Sequence, residues 1–478
     1  MEYGPLLILI PLIIYAITSF TIPRKSIQSP DDFFIAYKKI GTTPFANSAI
    51  AYAFQVATVY PFLAWASSKI ILIPFLNSVF WGVGILLFSL FVPKMKDFIG
   101  SDITIHGFLG RKYSASIRFW TSVLTIIGLS GVAIAEIVWG SQVLSSVITD
   151  KKYLYFIIFL IAFFALIYTS YGGQMSSIRT DQAQLIFSYL GILGLLLYLF
   201  FVTLKTRVVF DSFLSIGVIF LACYIPLLLF KRNGWKFLAI GAVTGYSKTI
   251  TRVSNILISL LLIALALVAF YSIFSKYVNF SFSFANVNQL EGFGIPGLLS
   301  LILLPLFWQF VDMTNWQRIL SLQTPANRQG AQIRDIQKGL LTYAVESPFT
   351  WVIFIVLGLF LATNNPALTV NNIFTEAPIY FMKSESILDN ILGYGFIVSI
   401  FAIMLSTVDS VIAAIMFAFI YDTFPQTKDL IDKKDKNELR DKLERILAYG
   451  RIFALVALSI GISVFVIVDV LENLELYS

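Results

Sequence analysis

Apolar runs about as long as a bilayer is thick recur along this chain, and they limit what it can fold into. A helix needs about 20 apolar residues to cross roughly 30 Å of hydrocarbon. Runs of that kind lie near 4–22, 43–68, 72–93, 115–146, 153–170, 181–204, 212–230, 253–274, 295–316, 340–362, 391–421 and 448–470. Lipid offers no water to backbone N–H and C=O groups, so such runs fold as helices that satisfy their own hydrogen bonds. With 58% hydrophobic and 13% charged residues, the chain is too apolar for a soluble domain. The expectation is an all-α polytopic membrane protein with about 12 transmembrane helices, forming a single domain over 1–478.

Charge sets the expected orientation. With the N-terminus outside, the segments "PRKSIQSPDDFFIAYKK", "PKMKDFIGSDITIHGFLGRKY", "KRNGWKFLAIGAVTGYSKTITR", "QRILSLQTPANRQGAQIRDIQKG" and "KDLIDKKDKNELRDKLER" all fall inside. Together they carry most of the 34 Lys and Arg, as the positive-inside rule requires. The net charge of +7 is therefore read as topology rather than as affinity for nucleic acid. The expected location is the cell membrane, multi-pass, or the inner membrane in a bacterium. The first run opens with Glu2, lacks a basic leader and a small-residue cleavage site, and is expected to be a retained helix.

Several chemistries are excluded at once. The single cysteine, Cys223, and single histidine, His106, cannot build a Cys/His metal cluster. His106 sits in a polar connection and is expected to be solvated. No nucleophile–base pair or phosphate loop is visible, and "YGGQ" (171–174) reads as a turn between helices, so neither an enzyme nor an organic cofactor is expected.

What remains is the placement of acids. Asp409, Glu136, Asp312, Glu346 and Asp181 lie within or at the edges of apolar runs, while the middle of each run lacks Lys and Arg. A carboxylate buried without a protein cation must be protonated, hydrated, or paired with a cation from outside the chain. Cation transport is one reading. The other places the acids at helix ends, Asp181 as an N-cap and Asp312 in a last turn. The stretch "MLSTVDSVIAAIMF" (404–417) sharpens the choice, because Ser406, Thr407, Asp409 and Ser410 crowd hydroxyls and a carboxylate into the middle of a run. Hydroxyls and carbonyls are the hard oxygens that sodium takes as ligands. They also commonly bond back to their own helix.

The pattern is similar to a known family. "YGGQMSSIRTDQAQLI" (171–186) resembles the signature of the sodium:solute symporters, which include sodium-coupled sugar, proline, pantothenate and sialic acid carriers. "LSTVDS" (405–410), "DDFFIAYKKIG" (31–41), "ITIHGFLGRKY" (103–113) and "NWQRILSLQTPANRQGA" (315–331) resemble further segments of that family, in the family's order. The resemblance implies a LeuT-like inverted-repeat helical bundle whose core helix 1 is broken near the midplane, where solute and ion bind. On this chain that implies a peripheral N-terminal helix over 4–22, a first repeat over 43–204 (core helices 1–5) and a second over 295–470 (core helices 6–9). It also implies a sodium site formed by Ser406 and Thr407 with carbonyls of Ile403, Phe54 and Ala57, and an additional ion at Asp181, Ser406, Asp409 and Ser410. Substrate contacts are implied at Gln55, Thr58, Glu136, Trp308, Gln309 and Asp312, with Trp308 a candidate gate. Sodium is the sole metal implied, as the co-transported ion.

Two departures stand out. Residues 205–294 hold two extra apolar runs between the repeats, and the sequence ends after core helix 9, so a partner chain or further helices would complete the bundle. The polar run that sugar carriers place in helix 1 is not visible in "AYAFQVATVYPF" (51–62), and "STVDS" is closer to the amino acid, carboxylate and pantothenate branches. The expected activity is sodium-coupled import of a small polar organic solute by alternating access. The alternatives are a proton-coupled or uncoupled carrier of the same fold and a transporter-like solute sensor.

Overall fold

The computed structural model describes residues 4–21, 30–36, 39–68, 72–95, 104–148, 151–203, 294–322, 329–364, 368, 372–382, 386–423, 448–456, 459–460 and 463. The two extra runs near 212–230 and 253–274 lie outside the described residues, as do most of the connection over 424–447 and the end of the chain.

Among the described residues every regular element is helical, and the one extended pairing is a single bridge between Ile40 and Leu322. The elements are α1 (Gly4–Phe20), α2 (Pro30–Ile35), α3 (Thr42–Ala53), α4 (Val56–Ser67), α5 (Leu72–Phe91), α6 (Ile105–Lys112), α7 (Ala115–Leu144) and α8 (Lys151–Thr203). They continue with α9 (Gly294–Val311), α10 (Met313–Ser321), α11 (Gln329–Asn364), α12 (Ile373–Met382) and α13 (Ile387–Ala418), which ends in a π-helical turn over Phe419–Thr423. Among the described residues, three spans are long and apolar enough to cross a membrane, at Ile73–Met95, Ala115–Leu144 and Ile387–Thr423, and two bent pairs pass the same test when each counts as one.

Polarity is arranged inside out. Leu90, Trp120, Leu124, Ile127, Phe156, Leu190 and Leu304 face outward, while Ser48, Glu136, Ser177, Thr180, Asp181, Arg318 and Asp409 are fully buried. An apolar exterior around a polar interior is what a protein dissolved in lipid requires. The centre is α13, which packs along α8 and α7 and touches α3 and α4. Around it α11 lies against α4 and α5, and α1 covers α8.

Two of the expected runs are interrupted. The run at 43–68 divides at Phe54–Gln55 into α3 and α4, bent by 52°. The run at 295–316 divides at Asp312 into α9 and α10. The runs at 153–170 and 181–204 belong to two helices within α8 that meet at a 107° bend, with Gly173 of the expected "YGGQ" turn at φ 57°. That glycine is required twice over. Its φ is one that side-chain-bearing residues rarely adopt, and an added Cβ would stand 2.1 Å from the Phe33 carbonyl oxygen.

His106 is buried rather than solvated. Its Nδ1 lies 2.8 Å from Asp422 Oδ2 and its Nε2 lies 2.9 Å from Thr125 Oγ1. Asp422, in the turn after α13, also accepts from Thr104 Oγ1 at 2.6 Å and Arg118 Nε at 3.0 Å, and the Arg118 guanidinium reaches the Tyr421 carbonyl. Histidine, arginine and one hydroxyl thus converge on one buried carboxylate, which draws the "ITIHGFLGRKY" segment into the protein.

Candidate ion and solute site

The first break exposes backbone groups that a continuous helix would pair. Gln55 sits at φ 22°, outside the helical region, so the amides opening α4 have no carbonyls one turn back. Glu136 of α7 supplies the acceptors, with Oε2 2.8 Å from Val56 N and Oε1 2.8 Å from Ala57 N. A carboxylate at a helix N-terminus also meets the positive end of the helix dipole. On the other side, Trp351 Nε1 of α11 donates to the Ala53 carbonyl at 2.9 Å. Both partners are fully or nearly fully buried, so the break is a built feature rather than a frayed one.

The second break is closed by its own residues. Asp312 Oδ1 accepts from Thr314 N at 2.9 Å and from Thr314 Oγ1 at 2.8 Å, an N-cap for α10. Its Oδ2 accepts from Trp308 Nε1 at 3.2 Å, and Asn315 Nδ2 donates to Gln309 Oε1 at 2.9 Å. The three helix-9 residues expected to touch substrate therefore form a group of their own, with Asp312 serving the backbone first.

The hydroxyl motif sits on α13 where it faces α8 and α3. Asp181 is mid-helix rather than a cap. Its Oδ1 accepts from Ser406 Oγ at 2.5 Å and its Oδ2 from Ser48 Oγ of α3. Thr407 Oγ1 turns toward the Ile403 carbonyl of its own helix at 3.4 Å. Asp409 accepts from Tyr168 Oη at 2.9 Å, Ser177 Oγ at 2.9 Å, Thr180 Oγ1 at 3.0 Å and Ser410 Oγ at 3.3 Å. Four hydroxyls on two carboxylate oxygens fill the acceptor capacity of that group.

One residue overturns a premise of the sequence reading. Arg318 of α10, placed by its motif after a membrane run, is fully buried among the acids. Its Nε donates to Ser48 Oγ at 2.8 Å, Nη2 to Ser410 Oγ at 2.7 Å and Nη1 to the Thr314 carbonyl at 3.3 Å. Nη2 stands 3.6 Å from Asp181 Oδ2, and the guanidinium lies 4.8 Å from the centre of the Tyr52 ring. A protein cation therefore does reach the buried carboxylates. The cost of burying it is offset by four oxygens and an aromatic face.

Of the expected ion and solute residues, the structure joins Asp181, Ser406, Asp409 and Ser410 through hydroxyls and Arg318. It places Phe54, Gln55, Ala57, Thr58 and Glu136 at the first break, and Trp308, Gln309 and Asp312 at the second. Ser48, Tyr168, Ser177, Thr180 and Arg318 are the participants that sequence reasoning missed. Tyr168 and Thr180 stand four residues or fewer from the "YGGQMSSI" stretch, and Arg318 stands inside a segment already singled out. Gln55 Nε2 and Gln309 Nε2 are buried amide donors without a hydrogen-bond partner among the described residues.

No family model matches the chain, and no curated protein matches it in sequence. In three dimensions it is similar to a Na+-coupled sialic acid symporter solved in a substrate-bound, outward-open state. The TM-score is 0.57 at 15% identity, over 97% of this chain and 82% of that one. The chain thus has the fold of a helical membrane transporter.

Proposed function

We propose that the protein is a sodium-coupled secondary-active symporter that imports a small polar organic solute by alternating access. The observation that carries this reading is that α13, which holds Ser406 and Thr407, packs against both α3 and α4, the two halves of the helix broken at Phe54–Gln55. Carbonyls at an unwound segment and hydroxyls on a facing helix are the ligand types that sodium takes in broken-helix transporters. Ser406 gives its proton to Asp181, which leaves the oxygen lone pairs for an ion. Thr407 and the carbonyls of Ile403, Phe54 and Ala57 complete the set.

The two interrupted helices, α3/α4 and α9/α10, are the natural counterparts of two inverted repeats over 43–204 and 295–470. About twelve membrane helices with the N-terminus outside fit the lengths and charges of the connections. Glu136 narrows the solute. Its carboxylate already occupies the N-terminus of α4, the place where a half-helix would receive a solute anion. A solute presenting an ammonium or amide group there, with oxygen acceptors for the orphaned amides of Gln55 and Gln309, fits better than one presenting a carboxylate.

The test is thermal stability of the purified protein in sodium chloride against choline chloride at equal ionic strength, with Ser406→Ala/Thr407→Ala alongside. Sodium-specific stabilisation that the double variant loses is the expected result. Equal melting curves in the two salts would remove sodium from the mechanism. A second reading, a proton-coupled carrier of the same fold, draws on the two buried carboxylates Asp181 and Asp409. Uptake driven by a pH gradient in sodium-free medium distinguishes it.

A further inference from the structure

The buried acid cluster contains a position fitted for a cation, and that position is filled by the protein itself. Arg318 is surrounded by Ser48 Oγ at 2.8 Å, Ser410 Oγ at 2.7 Å, the Thr314 carbonyl at 3.3 Å and Asp181 Oδ2 at 3.6 Å. A guanidinium has no acceptor, so both hydroxyls turn lone pairs toward it. Ser48 spends its proton on Asp181, and Ser410 points its own toward Asp409 or Ser177. Hydroxyls, one carbonyl and one carboxylate, all turning oxygen toward one point, are also the shell a sodium ion would take.

We propose that Arg318 is the tethered counter-ion of this cluster, standing where an additional sodium ion would otherwise bind, and that it limits the protein to one bound sodium. The charges agree. Asp181 and Asp409 carry two negative charges when ionised, and Arg318 offsets one. The remaining charge is matched by a single sodium ion at the adjacent Ser406–Thr407 hydroxyls. Arg318 is also held independently of any ion. Its helix α10 is anchored by Gln317 Nε2 on the Phe34 carbonyl at 3.1 Å and by Ile40 N on the Ser321 carbonyl at 2.9 Å. An exchangeable ion leaves with each cycle, whereas this one travels with α10. The inference builds on the sodium reading above, but it can stand or fall separately.

The experiment is equilibrium binding of radiolabelled sodium to the purified full chain, comparing wild type with Arg318→Gln and Arg318→Lys. Sodium bound per chain is expected to rise about twofold in R318Q. It should stay at the wild-type level in R318K, which keeps the charge. Sodium in R318Q equal to that in wild type overturns the proposal and leaves the Ser406–Thr407 site standing. Sodium binding in R318Q but not in wild type upholds Arg318 as the stand-in for an ion, overturns the count of one bound sodium, and sinks the sodium-coupled reading. Should R318Q not fold in choline, the folded fraction recovered in sodium reads the same site: sodium-specific rescue supports the proposal, and equal recovery in the two salts overturns it.

Discussion

The two interrupted helices are closed by different means. At Asp312 the chain caps itself, with a side chain accepting from a backbone amide two residues later. At Phe54–Gln55 the cap comes from across the protein, since Glu136 lies 80 residues from Val56 in sequence and Trp351 lies 298 from Ala53. A self-capped break keeps its cap wherever it moves. A break capped from outside is fixed to α7 and α11, and any movement of α3 or α4 relative to them must exchange those bonds for others. The first break is therefore the more responsive of the two, and both of its halves pack against α13.

The largest effect is expected at the borrowed cap. Glu136→Ala leaves two buried amides without acceptors and should cost about 2–5 kcal/mol of stability, with Glu136→Gln intermediate because one acceptor survives. Both are read as the thermal-unfolding midpoint of purified protein. A loss no greater than that of a surface variant would mean that the break does not depend on α7. Next comes the link between the first break and sodium. Stabilisation by sodium over choline should amount to about 1–3 kcal/mol at saturating salt and disappear in Ser406→Ala/Thr407→Ala. It should persist in Asp312→Ala, because the second break takes no part in that site. Sodium stabilisation lost in both variants would erase the distinction drawn between the breaks.

The self-made cap should cost less. Asp312→Ala is expected to destabilise by about 1–2 kcal/mol, and Asp312→Asn by less, because asparagine also caps helices. Smallest of all, Thr314→Val removes one hydroxyl from Asp312 and should cost about 0.5–1 kcal/mol in the same melting assay. An order reversed between Glu136 and Asp312 would overturn the comparison.

The same contrast explains what could be read from the sequence. The helical class was legible because lipid leaves an apolar run few other choices. The cap at Asp312 was open to reading, since asparagine-like residues two positions before a threonine at a helix start are local signals. The cap at Val56 was not, because no short window contains both Glu136 and the amides it serves. Arg318 was misplaced for the same reason. The segment it opens, "QRILSLQTPANRQGAQIRDIQKG", is rich in polar and charged residues, which suggests an aqueous connection, whereas its partners in space lie 92 and 270 residues away. His106 repeats the pattern, with a partner 316 residues distant. The helical start of the Tyr171 segment was hidden because Ser176, Ser177, Thr180 and Asp181 depress its hydropathy, yet all four point inward to buried partners. Membrane acids pointed to the buried cluster around Asp181 and Asp409, and the cation that the sequence did not place beside them came from tertiary structure.

Arg318 also has a consequence for how the protein is made. A ribosome that has delivered everything through Thr203 has inserted Ser48 and Asp181, but neither Ser406 nor the guanidinium that both acid and hydroxyl later share exists yet. That half must wait, with a carboxylate inside the bilayer served by a single serine, until more than a hundred further residues have been synthesised. The bridge between Ile40 and Leu322 then joins the start of the first half to α10. The polar centre is thus assembled from parts made early and late in synthesis, and it is complete only once α10 and α13 have joined the first half.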